Sequence, residues 1–133
     1  MTINDLLILK DRLGRAKIGS NLPNDELRKY LKITVSLNKY ETEFNNKRME
    51  YAKEAAAQKG YDLQNLTDEQ NKELLEVINP LLNEWLTQEA EGVETKVFTW
   101  DTLCDAILNN PDNKDLNISD KSYFAEMLCS EEL

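Results

Sequence analysis

Histidine is absent from the 133 residues of this chain. With it go the commonest general base, the commonest metal ligand and every Ser-His or Cys-His nucleophile. The four glycines form no phosphate-cradling loop of either nucleotide-binding type. Cys104 and Cys129 lie far apart within apolar-periodic stretches, a pattern of reduced, buried thiols and not of a disulfide framework or a zinc site. No apolar run reaches membrane-spanning length, and Met1-Thr2-Ile3-Asn4-Asp5 lacks a basic segment before its apolar residues. A soluble intracellular protein is expected, or one carried in a particle, without membrane contact.

Carboxylates are plentiful but poorly organised for chemistry. Glu69 with Glu73 and Asp101 with Asp105 sit at helical spacing, as a solvated face of any acidic chain would place them. The loop from Asp112 to Asp120 invites a calcium reading. Counted from Asn113, however, it puts Ile118 where an EF-hand needs glycine and Phe124 where it needs glutamate, so a solvated turn is expected. No catalytic residue, metal or cofactor is assigned.

Charge is unevenly spread. Residues 1–60 hold 12 Lys and Arg against 8 Asp and Glu, and residues 61–133 hold 4 against 17, for a net −9. Direct nucleic-acid binding is disfavoured by that net charge, because phosphate affinity rests on clustered cations. Two uses of the acidic half follow: internal complementarity with the basic half, or a face that meets a basic partner.

The chain is organised around the stretch from Leu22 to Gly60. Ser20, Asn21 and Asn24 offer capping oxygens, Pro23 suits a first turn, and Asp25 and Glu26 favour the positive end of a helix dipole. No proline or glycine intervenes before Lys59. Tyr30, Ile33, Leu37, Tyr40, Phe44 and Tyr51 recur at spacings of three, four and seven, one helical stripe. At about 1.5 Å per residue this rod is roughly 55 Å long, and it is expected to protrude or to find a partner. Tyr40, Phe44 and Tyr51 are the candidate interface residues, with packing against the chain itself as their plainer use.

Thr2 and Asp5 form a capping box for a short N-terminal helix ending near Leu13. Thr67 and Gln70 form another, opening an apolar helix through Leu86 that should lie antiparallel to the rod. Pro80 is expected to kink that helix without dividing it. Val93 to Phe98 alternates as one short strand or an isolated extended segment. Thr99 or Asp101 caps a small helix, and Ser119 opens a last one. The sum is a single, mainly α domain over residues 1–133: a long antiparallel helical hairpin, a short N-terminal helix and two small C-terminal helices.

The order Leu22-Pro23, then Tyr30, Ile33, Leu37, Glu43, Arg48 and Tyr51 on one helix, an acidic helix, an extended Val97-Phe98 and a closing Leu116-x-Ile118-Ser119 helix resembles small uncharacterised proteins of tailed phages and prophages. Where an Asp/Gly-rich turn would follow the long helix, this chain has Ala55-Ala56-Ala57-Gln58-Lys59-Gly60. The resemblance implies a phage or mobile-element origin and supplies no binding residues. The expected function is a non-enzymatic interaction or assembly protein of the host cytoplasm or the virion, its partner a particle protein, a host protein or a second copy. The alternative is an acidic inhibitor, acting as a nucleic-acid mimic, of a host defence or nucleic-acid-processing protein.

Overall fold

The computed structural model describes residues 1–132. It is mainly α: α1 (Ile3–Gly14), α2 (Asn24–Lys59), α3 (Asp68–Leu86), α4 (Trp100–Leu103) and α5 (Ile118–Leu128), with α4 running on into a π-helical turn at Cys104–Leu108. Among the described residues no sheet forms. Val93 to Phe98 forms no strand: the Val97 N–H turns back to the Thr95 carbonyl at 3.0 Å, and the segment's one backbone bridge is parallel, Phe98 to Cys129. A strand needs a neighbour along its length, and only Phe98 finds one.

Local chemistry sets the helix starts. The Thr2 hydroxyl accepts from the Asp5 N–H at 3.1 Å while the Asp5 carboxylate accepts from the Thr2 N–H at 2.9 Å. Thr67 and Gln70 repeat this at 3.1 and 3.0 Å. Each box satisfies two backbone donors that a helix start leaves orphaned. At α5 the start falls earlier than Ser119, because Asn117 and Asp120 form a third box at 2.8 and 3.3 Å. The Pro23 carbonyl accepts the first bond of α2, from the Leu27 N–H at 2.8 Å, so the proline stands just ahead of the helix. Gly60, at φ 71°, ends α2 in the left-handed turn that glycine adopts without a Cβ penalty.

Contacts divide the chain into two compact units: Met1–Leu6 with Lys39–Ala90, and Leu7–Asn38 with Glu91–Leu133. In the first, α3 lies antiparallel to the Lys39–Lys59 part of α2. Ala55, Ala56, Leu74, Ile78 and Leu82 are buried together, with Phe44, Tyr51, Ala52, Tyr61 and Leu66 packed around them. The alanines let the two helices approach closely at the far end, and the Phe44 ring stacks on Trp85 at 6.2 Å at the other. Burying Leu74, Ile78 and Leu82 contributes roughly 5–9 kcal/mol before chain entropy is subtracted. α3 runs unbroken through Pro80, as expected. The chain start lies along the end of this hairpin, Ile3 N–H donating to Gln88 O and Ala90 N–H to Met1 O, both at 3.0 Å.

In the second unit Leu9, Ile33, Leu37, Phe98, Leu103, Ile107, Phe124 and Leu128 are the core, each at most 3% exposed. Phe98 is fixed from both sides: its N–H donates to Leu128 O at 3.0 Å, its carbonyl accepts from Ser130 N–H at 2.8 Å, and Tyr30 leans on its ring at 5.6 Å. The segment Lys17–Gly19 is held to the residues around the π-turn. Asn113 accepts from the Lys17 N–H at 2.6 Å and donates to the Lys17 carbonyl at 2.7 Å, and Gly19 N–H donates to Ala106 O at 2.9 Å. Asn113 also donates to Ile107 O at 3.0 Å. Carbonyls of the last helical turn are thereby engaged from outside, and the turn closes as a π-helix through Asn109 N–H to Cys104 O at 2.7 Å.

Candidate protein-interaction surface

Helix periodicity gives the first part of α2 two apolar faces. Ile33 and Leu37 face inward, 2% and 3% exposed, with Tyr30 beside them. On the opposite side Leu27, Leu31 and Val35 follow one another a turn apart. Leu31 is 53% and Val35 68% exposed. An exposed valine inside a helix serves neither burial nor helix propensity, since its branched Cβ loses rotamer freedom there. Single exposed aliphatics are ordinary; a row of them edging a groove is not. Leu27, Leu31 and Val35, with Asn24, Ser36 and Gly92, line such a groove, shallow and open and about 720 Å³ in volume.

The electrostatics of this wall oppose those of the protein. From Leu27 to Tyr40 the sequence holds Arg28, Lys29, Lys32 and Lys39 and no carboxylate. Arg28, Lys32 and Lys39 lie on one flank of the aliphatic row, all exposed, and among the described residues none of the three is in an ion pair. Glu26 and Glu41 border this stretch, and Glu26 is committed elsewhere: its Oε1 accepts from the Thr99 N–H at 3.1 Å. Burial pushes the Glu26 pKa up, but the Thr102 hydroxyl close by, the Thr99 bonds and Lys29 outweigh it, so the carboxyl is held below its ordinary range. Oε2 meets no hydrogen-bond partner of good geometry, so Thr102 acts on the carboxylate by proximity.

Of the residues singled out from sequence, Phe44 and Tyr51 are half-buried against the α3 core, and Tyr40 is half-buried on the same helix. The Phe44 and Tyr51 rings pack within the first unit. The residues that sequence reasoning passed over are Leu31 and Val35. Their signal was available: two aliphatics off the inward stripe, inside a stretch without a carboxylate.

A second apolar surface lies between the π-turn and α5, where Trp100 is 39% and Ile118 77% exposed. Trp85, by contrast, is buried in the core. Cys129 is buried and Cys104 half-buried, both reduced, so the expectation of two buried thiols holds for Cys129 alone. Burial, then Asp101, Asp105 and Cys129, push the Cys104 thiol up, which suppresses the reactive thiolate.

Among the described residues no three carboxylate or thiol side chains converge as a metal site, and no helix is long and apolar enough to cross a membrane. Set against models of known protein families, curated proteins and solved structures, the chain matches none of them.

Proposed function

We propose that the chain is a non-enzymatic helical interaction or assembly protein of the kind made by tailed phages and prophages. It acts in the host cytoplasm or is carried in the virion, and it engages a protein partner through the basic, aliphatic face of α2. The exposed pair Leu31 and Val35, edging a groove flanked by uncommitted cations, carries this reading. Apolar area supplies the affinity and the flanking charge supplies orientation and on-rate.

Pull-down from host lysate with and without phage induction, comparing wild type with L31D/V35D, tests it. Both positions are exposed, so the variant should keep its helical circular dichroism while losing at least about tenfold of its captured partner, as expected for a charge placed in an apolar contact. Undiminished capture overturns the reading. The exposed carboxylates Glu69, Glu76 and Glu84 along α3 favour a second reading, the acidic inhibitor. Recovery of one basic host protein, insensitive to L31D/V35D and lost at high salt, would support that instead.

A further inference from the structure

The groove asks for a helix edge with aliphatics one turn apart and carboxylates on one flank. Such an edge is present on the chain. On α3, Val77 and Leu81 are each 40% exposed and one turn apart, at the margin of the face whose centre is Leu74, Ile78 and Leu82. By helix periodicity Glu69, Glu73, Glu76 and Glu84 all fall on the same flank of that pair. Glu73 is held by the Tyr61 hydroxyl at 2.6 Å and lies 3.8 Å from Lys59. Among the described residues no ion pair engages Glu69, Glu76 or Glu84. The α2 edge is its counterpart: Leu31 and Val35 one turn apart, with Arg28, Lys32 and Lys39 on one flank.

From this complementarity of shape period and charge we infer that the α2 groove is the docking site for the α3 edge of a second copy of the chain. The inference rests on the reading of the α2 face as an interaction surface and names its partner. Contact between two helix edges is small beside the ~1,600 Å² of a standard interface, so the association is reversible and concentration-dependent. Its charge component makes it weaken with salt.

Charge exchange tests it. Sedimentation velocity of the full chain between about 5 and 500 µM, a span suited to weak contacts, should show wild type associating. R28E/K32E (groove) and E76K/E84K (α3 edge) should each remain monomeric and helical. The equimolar mixture of the two variants should associate again, because the acidic edge of the first fits the basic groove of the second, and the basic edge of the second fits the acidic groove of the first. A wild type monomeric throughout overturns the inference, as does association that survives either double variant or a mixture that fails to recover. The wider reading has its own readout. A monomeric wild type whose captured partner is lost in L31D/V35D leaves the interaction face standing with a foreign occupant, and retained capture removes both.

Discussion

Asn113 does the work of a backbone. Its side-chain amide pairs with both the N–H and the carbonyl of Lys17, and it also reaches the Ile107 carbonyl, so one residue joins three places in the second unit. Asn113→Ala should destabilise the protein by about 2–3 kcal/mol, at about 1 kcal/mol for each of three lost bonds. A urea midpoint unchanged from wild type would show the clamp to be incidental. From sequence Asn113 reads as one polar residue in a solvated turn, since nothing local reveals that its partner, Lys17, lies 96 residues earlier in the chain. Glu26 adds a pH signature. Its folded-state pKa lies below the ordinary value near 4.5, so its contribution is present above that value and is lost as pH falls through the folded value. Glu26→Gln should be less stable at pH 7 by about 0.5–1 kcal/mol, a bond to a charged group discounted for solvent. At a pH below the folded value both forms are uncharged and the difference should close. Urea midpoints that differ equally at both pH values would assign the effect to shape and not to charge.

At the scale of elements, the helices whose ends carry their own chemistry were legible. The Thr2–Asp5 and Thr67–Gln70 boxes and the Gly60 stop are local, and each sits where its residues place it. Elements shaped by distant neighbours were not. The π-turn at Cys104–Leu108 is tied to segments far away in sequence, the Gly19 N–H donating to Ala106 O and the Asn113 amide to Ile107 O. Ser119 looked like a cap because Asn117 and Asp120, the residues that do cap, resemble any other polar loop pair. Pro80 is the clearest case for a test. It lies on the exposed side of α3, removes the N–H that would bond to the Glu76 carbonyl, and contributes no burial. Pro80→Ala should therefore raise stability, by about 1–3 kcal/mol, read as a higher melting temperature. A lower one would show that packing against α2 requires the proline's geometry.

For the molecule as a whole, the mainly α class and the antiparallel pairing of α3 with α2 could be read from apolar periodicity, because Leu74, Ile78 and Leu82 face Ala55 and Ala56 as their spacing demands. The partition of α2 was hidden. Its stripe continues through the helix, yet Ile33 and Leu37 belong to one unit and Phe44 and Tyr51 to the other. The candidate site was hidden for a related reason. Attention to the inward stripe led to Tyr40, Phe44 and Tyr51, while the outward face became visible only once the structure showed which side of the helix was covered.

The order in which the two units appear along the chain has a consequence during synthesis. Everything the first unit needs has been made once Ala90 is added, whereas the second waits for Glu91–Leu133. Its Phe98 backbone cannot be satisfied until Leu128 and Ser130 emerge. At roughly 5–20 residues per second, Leu9, Ile33 and Leu37 stay uncovered on the ribosome for some seconds after the hairpin beside them in sequence can close. That interval is when a chaperone, or a neighbouring nascent copy on the same message, would meet them.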